Sequence, residues 1–251
     1  MIEVGPRLAV ALVLLTVITA LVVGFGQLGS RRSIPIAAAR ATLQLGAVSL
    51  LIAAIVSSLW FTALFVVAMV STAAWTSGQR ITRADRRRRR VTAALWAAVP
   101  IATGSLPIVL GLIAGGLVPV EGITIVPIAG ILIGGAMTAT SLAGRRALDE
   151  LGTRRGEVEA ALSLGFLDRD AALEICRPSA GQALVPALDQ TRTVGLVTLP
   201  GAFVGVLLGG GSAVEAGATQ LLVLVGLLAV ESIAIVLVTE LVARGKVRTA
   251  A

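Results

Sequence analysis

Asp189 and Glu231 are the two carboxylates that fall deep inside apolar stretches of this 251-residue chain. An ionisable side chain in such surroundings costs on the order of 3 kcal/mol to insert unless it is paired or lines a hydrated path. Arg192 follows Asp189 by three residues, so on a helix the two share a face and can form an ion pair. That pair either locks helices together or borders a translocation path. Arg40 and Gln44, four residues apart, share one face of an earlier apolar stretch. Glu231 has no obvious partner on its own stretch, so it is protonated, paired with Arg40 or Arg192, or wet. These residues suit the passage of a solute better than bond-making. The chain has no His and no Tyr, which removes the commonest metal ligand, proton shuttle and radical carrier. Its single Cys176 cannot form an intrachain disulfide, and no cluster of carboxylates or reactive thiols stands where an enzyme acting on lipids would need one.

The elements that must position these residues are membrane helices. Hydrophobic residues make up 56% of the chain and charged residues 14%, and apolar runs of membrane length recur along it. The runs are continuous rather than alternating, which selects helices over a barrel, since both satisfy the backbone in lipid. Seven helices are predicted, at about 8–27, 34–56, 59–77, 92–115, 122–143, 182–208 and 218–242. The fold class is therefore all-α and polytopic, with residues 1–251 forming one permease-like domain and the first run retained as a span, because no small-residue cleavage site follows it. Pro178 and Pro186 near the start of the sixth helix, and Pro200 within it, predict a break or hinge. Gly130, Gly134 and Gly135 on the fifth predict close helix packing.

Bases fix the expected orientation. Alternate gaps hold two (Arg31, Arg32), seven (Arg80, Arg83, Arg86 to Arg90), six (Arg145, Arg146, Arg154, Arg155, Arg169, Arg177) and three (Arg244, Lys246, Arg248) of the 21 Lys and Arg. The positive-inside rule then puts the N-terminus outside and the C-terminus in the cytoplasm of a cell-membrane protein. The arginine run at 86–90 lacks interleaved aromatics and lies between two spans, so it reads as a topology signal touching anionic lipids, with no nucleic-acid partner.

The long polar segment 144–181 faces the cytoplasm in this orientation. It contains Glu159-Ala160-Ala161, then Gly165, Ile175 and Pro178, at spacings that resemble the EAA loop of ABC-transporter permeases. In that family the loop docks on a separate ATPase. Arg177 stands where a Leu usually precedes the proline. The chain has no G-x-x-x-x-G-K-[ST] motif; Gly209-Gly210-Gly211 has no following Lys and falls on the outer side, so ATP would be hydrolysed by a partner subunit and this chain would bind no cofactor. A channel or secondary transporter needing no ATPase is the alternative, and no clear inverted repeat supports it. An ABC permease for a non-metal substrate is another.

A narrower resemblance covers nearly the whole chain. Thr193-Val194-Gly195-Leu196-Val197-Thr198-Leu199-Pro200-Gly201 is similar, with one Ser-to-Thr change, to the signature of the FetB-like permeases, membrane subunits of an ABC-type iron exporter with plant relatives linked to aluminium tolerance. Arg40 to Leu45 with Gly46, Pro127 to Gly130 with Gly134 and Met137, and Gln220 support it. The resemblance implies a homodimer of permeases with two cytoplasmic ATPases, moving iron or a related metal outward. For such a cargo the candidate ligands are Asp189 and Glu231, with Gln44, Gln190 and Thr hydroxyls as further oxygen donors. A weak, oxygen-lined path would let the ion leave readily.

Overall fold

Every expected span but the sixth forms one continuous helix. The computed structural model describes residues 5–82 and 87–248, with the side chains of 53, 87 and 88 left aside. Arg83 and Arg86 of the basic run lie outside the described residues. The chain divides into two compact units at Ser57 and Ser58. In the first, α1 (Pro6–Phe25) and α2 (Ser33–Val56) pack on each other, and no residue of α1 is buried. Their apolar surface is what lipid, unlike water, tolerates.

The second unit holds α3 (Leu59–Thr82), α4 (Arg87–Ala114), α5 (Gly122–Thr153), α6 (Arg155–Ser163), α7 (Asp168–Gly181), α8 (Val185–Thr193), α9 (Gly201–Leu208) and α10 (Ala213–Ala243). A short 3-10 turn, Gln182–Leu184, joins α7 to α8. Among the described residues, α1 to α5 and α10 contain six segments long and apolar enough to cross a membrane. The predicted sixth helix is instead divided between the 3-10 turn, α8 and α9. Pro178 does not interrupt α7, whereas Pro186 opens α8 and Pro200 precedes α9, the two places where a missing amide costs least.

The longest helix outruns the bilayer. At 1.5 Å per residue, the 32 residues of α5 extend about 48 Å, against a hydrocarbon core of about 30 Å. The polar end of α5, expected from 144 onward to belong to the polar segment beyond the span, continues the same helix because Ala143, Gly144 and Ala147 keep one face buried. α5 is the central helix and packs on α3, α4, α7 and α10.

Small residues are interleaved with Ile, Leu and Val through the core: Ala73, Ala74, Ala129, Ala136, Ala139, Ala143, Ala147 and Ala234 all lie in it. In lipid, where apolar surface gains nothing by leaving the solvent, such residues hold helices by letting backbones approach. The closest approach to another helix's backbone is at Gly78, where an added Cβ would stand 2.6 Å from the Ala94 amide of α4. On α5, Gly130 faces the Met69 methyl and Gly135 faces Leu227 and Glu231, as the sequence predicts, but Gly134 opens onto free space. Cys176 is fully buried in the same core, and burial pushes its thiol pKa up.

Ion pairs tie the α6–α7 end together. Arg154, between α5 and α6, bonds both Glu150 and Glu157, holding the Glu157 carboxyl below the ordinary carboxylate range. This exposed pairing is therefore retained at neutral pH and lost as pH falls through the lowered value. Arg169 on α7 donates to both oxygens of Glu240 on α10, at 2.6 and 2.8 Å, and Arg244 adds a third bond to the same carboxylate. Beyond α10, Lys246 sits 5.7 Å over the ring of Trp96 on α4.

The contrast between Gly78 and Gly134 yields a stability prediction. Gly78→Ala forces α3 and α4 apart and should destabilise the detergent-solubilised protein by about 1–3 kcal/mol. Gly134→Ala should leave its thermal unfolding within about 1 °C of the parent, since the new methyl meets nothing. Equal melting shifts in the two variants would refute this account of the core.

Candidate functional site

The break between α8 and α9 coincides with the Thr193–Gly201 run. Its local cause is legible. Gly195 adopts φ +82, a left-handed conformation that most side chains resist, and Pro200 has no amide to continue a helix. Between them the chain closes a small turn: the Gly195 amide donates to the Thr198 carbonyl at 2.9 Å, and the Val197 amide to the Thr193 carbonyl at 2.9 Å. Val194 and Thr198 form an isolated bridge.

α8 and α9 both pack against α10, and a linker of four residues, Gly209 to Ser212, joins α9 to it. Ser212 and Glu215 close that turn with reciprocal capping bonds, the Ser212 amide reaching the Glu215 carboxylate at 2.7 Å. α9 is eight residues, about 12 Å long, so the break lies roughly 12 Å along α10 from its start. That is inside the hydrocarbon thickness of a helix that crosses it.

Asp189 and Arg192 lie on α8, one turn before the break. Their ion pair spans 3.6 Å, and their side chains are 61% and 72% exposed. The spacing argument for this pair holds, but the pair does not lock packing among the described residues, because both members face outward. Glu231 is half-buried on α10, and its carboxylate lies against α5 at Gly135, where an added Cβ would come within 2.9 Å of Oε1. No hydrogen bond or ion pair reaches Glu231 among the described residues. Within the second unit it therefore does not pair with Arg192.

Further polar atoms line the seam between α3, α5 and α10. Gln220 precedes Glu231 by eleven residues, which returns it to within about 20° of the same face of α10. Its Oε1 is buried without a partner, as is the Thr140 hydroxyl on α5. Ser141 donates to the Ser77 hydroxyl at 3.0 Å across the α3–α5 contact. Gln220 figured in the sequence only as a family match, and the three hydroxyls gave no signal. Small hydroxyls in apolar helices ordinarily bond their own preceding turn, as Ser105 does to Ile101. Arg40 and Gln44 stand one turn apart on the exposed surface of α2. Among the described residues no three His, Cys, Asp or Glu side chains gather to hold a metal.

The EAA-like residues form a helix–turn–helix. α6 carries Glu159, Ala160 and Ala161, with Arg155 paired to Glu159 at 3.0 Å, and buries no residue. Gly165 turns the chain with φ +91, and α7 anchors the hairpin through buried Ile175 and Cys176, with Pro178 on its exposed side. The tip exposes Leu164 and Leu167 by 80% and 72%.

Comparison with known proteins fits this architecture. The family described as Uncharacterised protein family (UPF0014) matches residues 6–246. The chain is 34% identical to "UPF0014 membrane protein STAR2" of Oryza sativa subsp. japonica over 86% of its own length and 74% of that protein. It is 35% identical to "Protein ALUMINUM SENSITIVE 3" of Arabidopsis thaliana, over 62% of this chain and 55% of that one. It is 34% identical to "Probable iron export permease protein FetB" of Escherichia coli, over 48% and 46%. No solved structure matches. With a family match running through all the helices described above, the chain is an integral membrane protein that belongs to the UPF0014 family.

Proposed function

We propose that the chain is the membrane-spanning subunit of an ABC-type transporter, paired with a second copy of itself and driven by a separate cytoplasmic ATPase. The observation that carries this reading is the α6–Gly165–α7 hairpin. An apolar tip exposed outside the spans, on a helix that buries nothing, is the mark of a surface that another protein covers. Charges ring it: Arg155, Glu157 and Glu159 on α6, and Asp168, Arg169 and Asp170 opening α7. The positive-inside rule puts this end in the cytoplasm, with the C-terminus.

Export of iron or a related divalent metal is the cargo reading. It draws on the name of the E. coli relative and on oxygen donors inside the membrane, Glu231 with Gln220 on α10 and Asp189 on α8. A path with one or two carboxylates and no thiolate or imidazole binds a divalent ion loosely, which suits release on the far side. Whether Glu231 carries that ion or only sits in the seam is a matter its charge decides.

Three measurements test the parts of this reading separately. Leu164→Asp and Phe166→Asp change only the exposed tip and should lower co-purified ATPase by about tenfold, equivalent to ~1.4 kcal/mol. Gly165→Pro, which cannot hold a positive φ, should do the same by collapsing the turn. Full co-purification with all three variants would end the docking assignment. For orientation, Leu117→Cys and Val214→Cys in a Cys176→Ala background should react with an impermeant thiol reagent on intact cells, and Ser163→Cys only after permeabilisation. The buried native Cys176 should stay unreactive in both conditions. The opposite labelling pattern would invert the topology. For cargo, Glu231→Gln should insert as well as the acid yet lower Fe²⁺ efflux from vesicles holding permease and ATPase by tenfold or more; unchanged efflux for every divalent metal tried would make Glu231 structural.

A further inference from the structure

The break between α8 and α9 exposes groups that neither lipid nor water suits. Its backbone is one part of the problem. Besides the turn bonds already described, the amides of Leu199, Gly201, Ala202 and Phe203 and the carbonyls of Gly195, Leu196 and Val197 meet no partner among the described residues. Pro200, at the cap of α9, offers no side-chain bond to the orphan amides. In hydrocarbon each unsatisfied group costs several kcal/mol, so irregular backbone at membrane depth persists only where protein or a water-filled cavity covers it. The side chains are the other part. Leu196 is 92% exposed and Val197 76%, with Leu199 beside them, which is the wrong surface for a water-filled cavity.

Only a protein surface that offers both hydrogen-bonding groups and apolar contact, at the same depth in the membrane, answers both demands. A second copy of this chain, inserted in the same orientation, meets them by symmetry. A two-fold axis along the membrane normal brings each segment to the depth of its counterpart, and an isologous contact pairs any patch with itself. This patch is self-complementary. It carries free amides and free carbonyls together, and one turn away the exposed Asp189 and Arg192 present one charge of each sign. Across the axis, each Asp189 can meet the partner's Arg192, so that four charges close into a neutral ring.

We propose that the Val194–Pro200 break and the outward face of α8 form the contact between two copies of the chain within the membrane, the two breaks meeting at the two-fold axis. The inference rests on the paired-permease reading above and adds where the pairing occurs. It also gives the Thr193–Gly201 run a role distinct from holding cargo.

The experiment is cysteine cross-linking of the full-length protein in native membranes. Because the only native thiol is Cys176, a Cys176→Ala background leaves a single introduced cysteine that can form a disulfide only with another chain. Leu196→Cys, Val197→Cys and Leu199→Cys, oxidised with copper–phenanthroline, should move most of the protein to twice its 25.5 kDa mass on a non-reducing gel. Leu110→Cys, about as exposed as Leu199 but on α4, should give less than a tenth of that product. Blue-native electrophoresis of the unoxidised variants reads folding, and with three positions the test stands even if one perturbs the turn. Three outcomes overturn the proposal. Absence of cross-linking in variants that still migrate as dimers would place the interface on another face while leaving the paired permease intact. Rapid reaction of the Leu196→Cys thiol with an impermeant reagent on intact cells would show a water-lined break. Migration as a monomer that still retains the ATPase would remove the pairing itself while sparing the docking assignment.

Discussion

The close approach of α5 to α3, α4 and α10 is the constraint on which the second unit depends, because a membrane gives apolar side chains no reason to prefer one another over lipid. Contact has to come from shape. Alanine and glycine along α5, with Gly78 on α3 and Gly104 on α4, thin the helices until backbones nearly touch; a Cβ at Gly104 would stand 3.1 Å from the Val230 carbonyl. The same thinness decides what else fits. Glu231 enters the seam opposite a glycine, Gly135, where a side chain would meet its carboxylate.

Polar atoms then acquire meaning from their place in that seam. Ser77 and Ser141 satisfy each other, and Thr239 bonds back to Ile235. Gln220, Thr140 and Glu231 are left incompletely satisfied among the described residues. In a medium where an unmade hydrogen bond is expensive, such atoms are either hydrated or visited by a solute. Asp189 and Arg192, by contrast, meet each other on the outward face of α8.

Much of the fold was legible in the sequence because hydropathy reports on lipid contact residue by residue. Four of the long helices, α1, α2, α3 and α5, begin within two residues of their apolar runs. What escaped was of two kinds. The last third of α5 reads as polar loop, since Arg145, Arg146, Asp149 and Glu150 dominate its composition; its helix survives on the buried small residues Ala143, Gly144 and Ala147, a pattern that average hydropathy hides. The interruption after Thr193 was signalled by Pro200, yet its position and the left-handed Gly195 follow from a turn that no periodicity encodes. At the site, Glu231 stood out as a charge in an apolar run, while Thr140, Ser77 and Ser141 could not, because hydroxyls of this size are common in membrane helices and gain significance only from what faces them.

The Glu240 carboxylate sits at one end of α10 and is gripped by Arg169 from α7 with two bonds at 2.6 and 2.8 Å. Nine residues up the same rigid rod stands Glu231, about 13 Å away along the axis. A helix resists compression far more than it resists tilting. The bidentate grip therefore ties α7 to the very rod that carries Glu231, so that α7 and this carboxylate are joined through a single stiff element rather than through a loop.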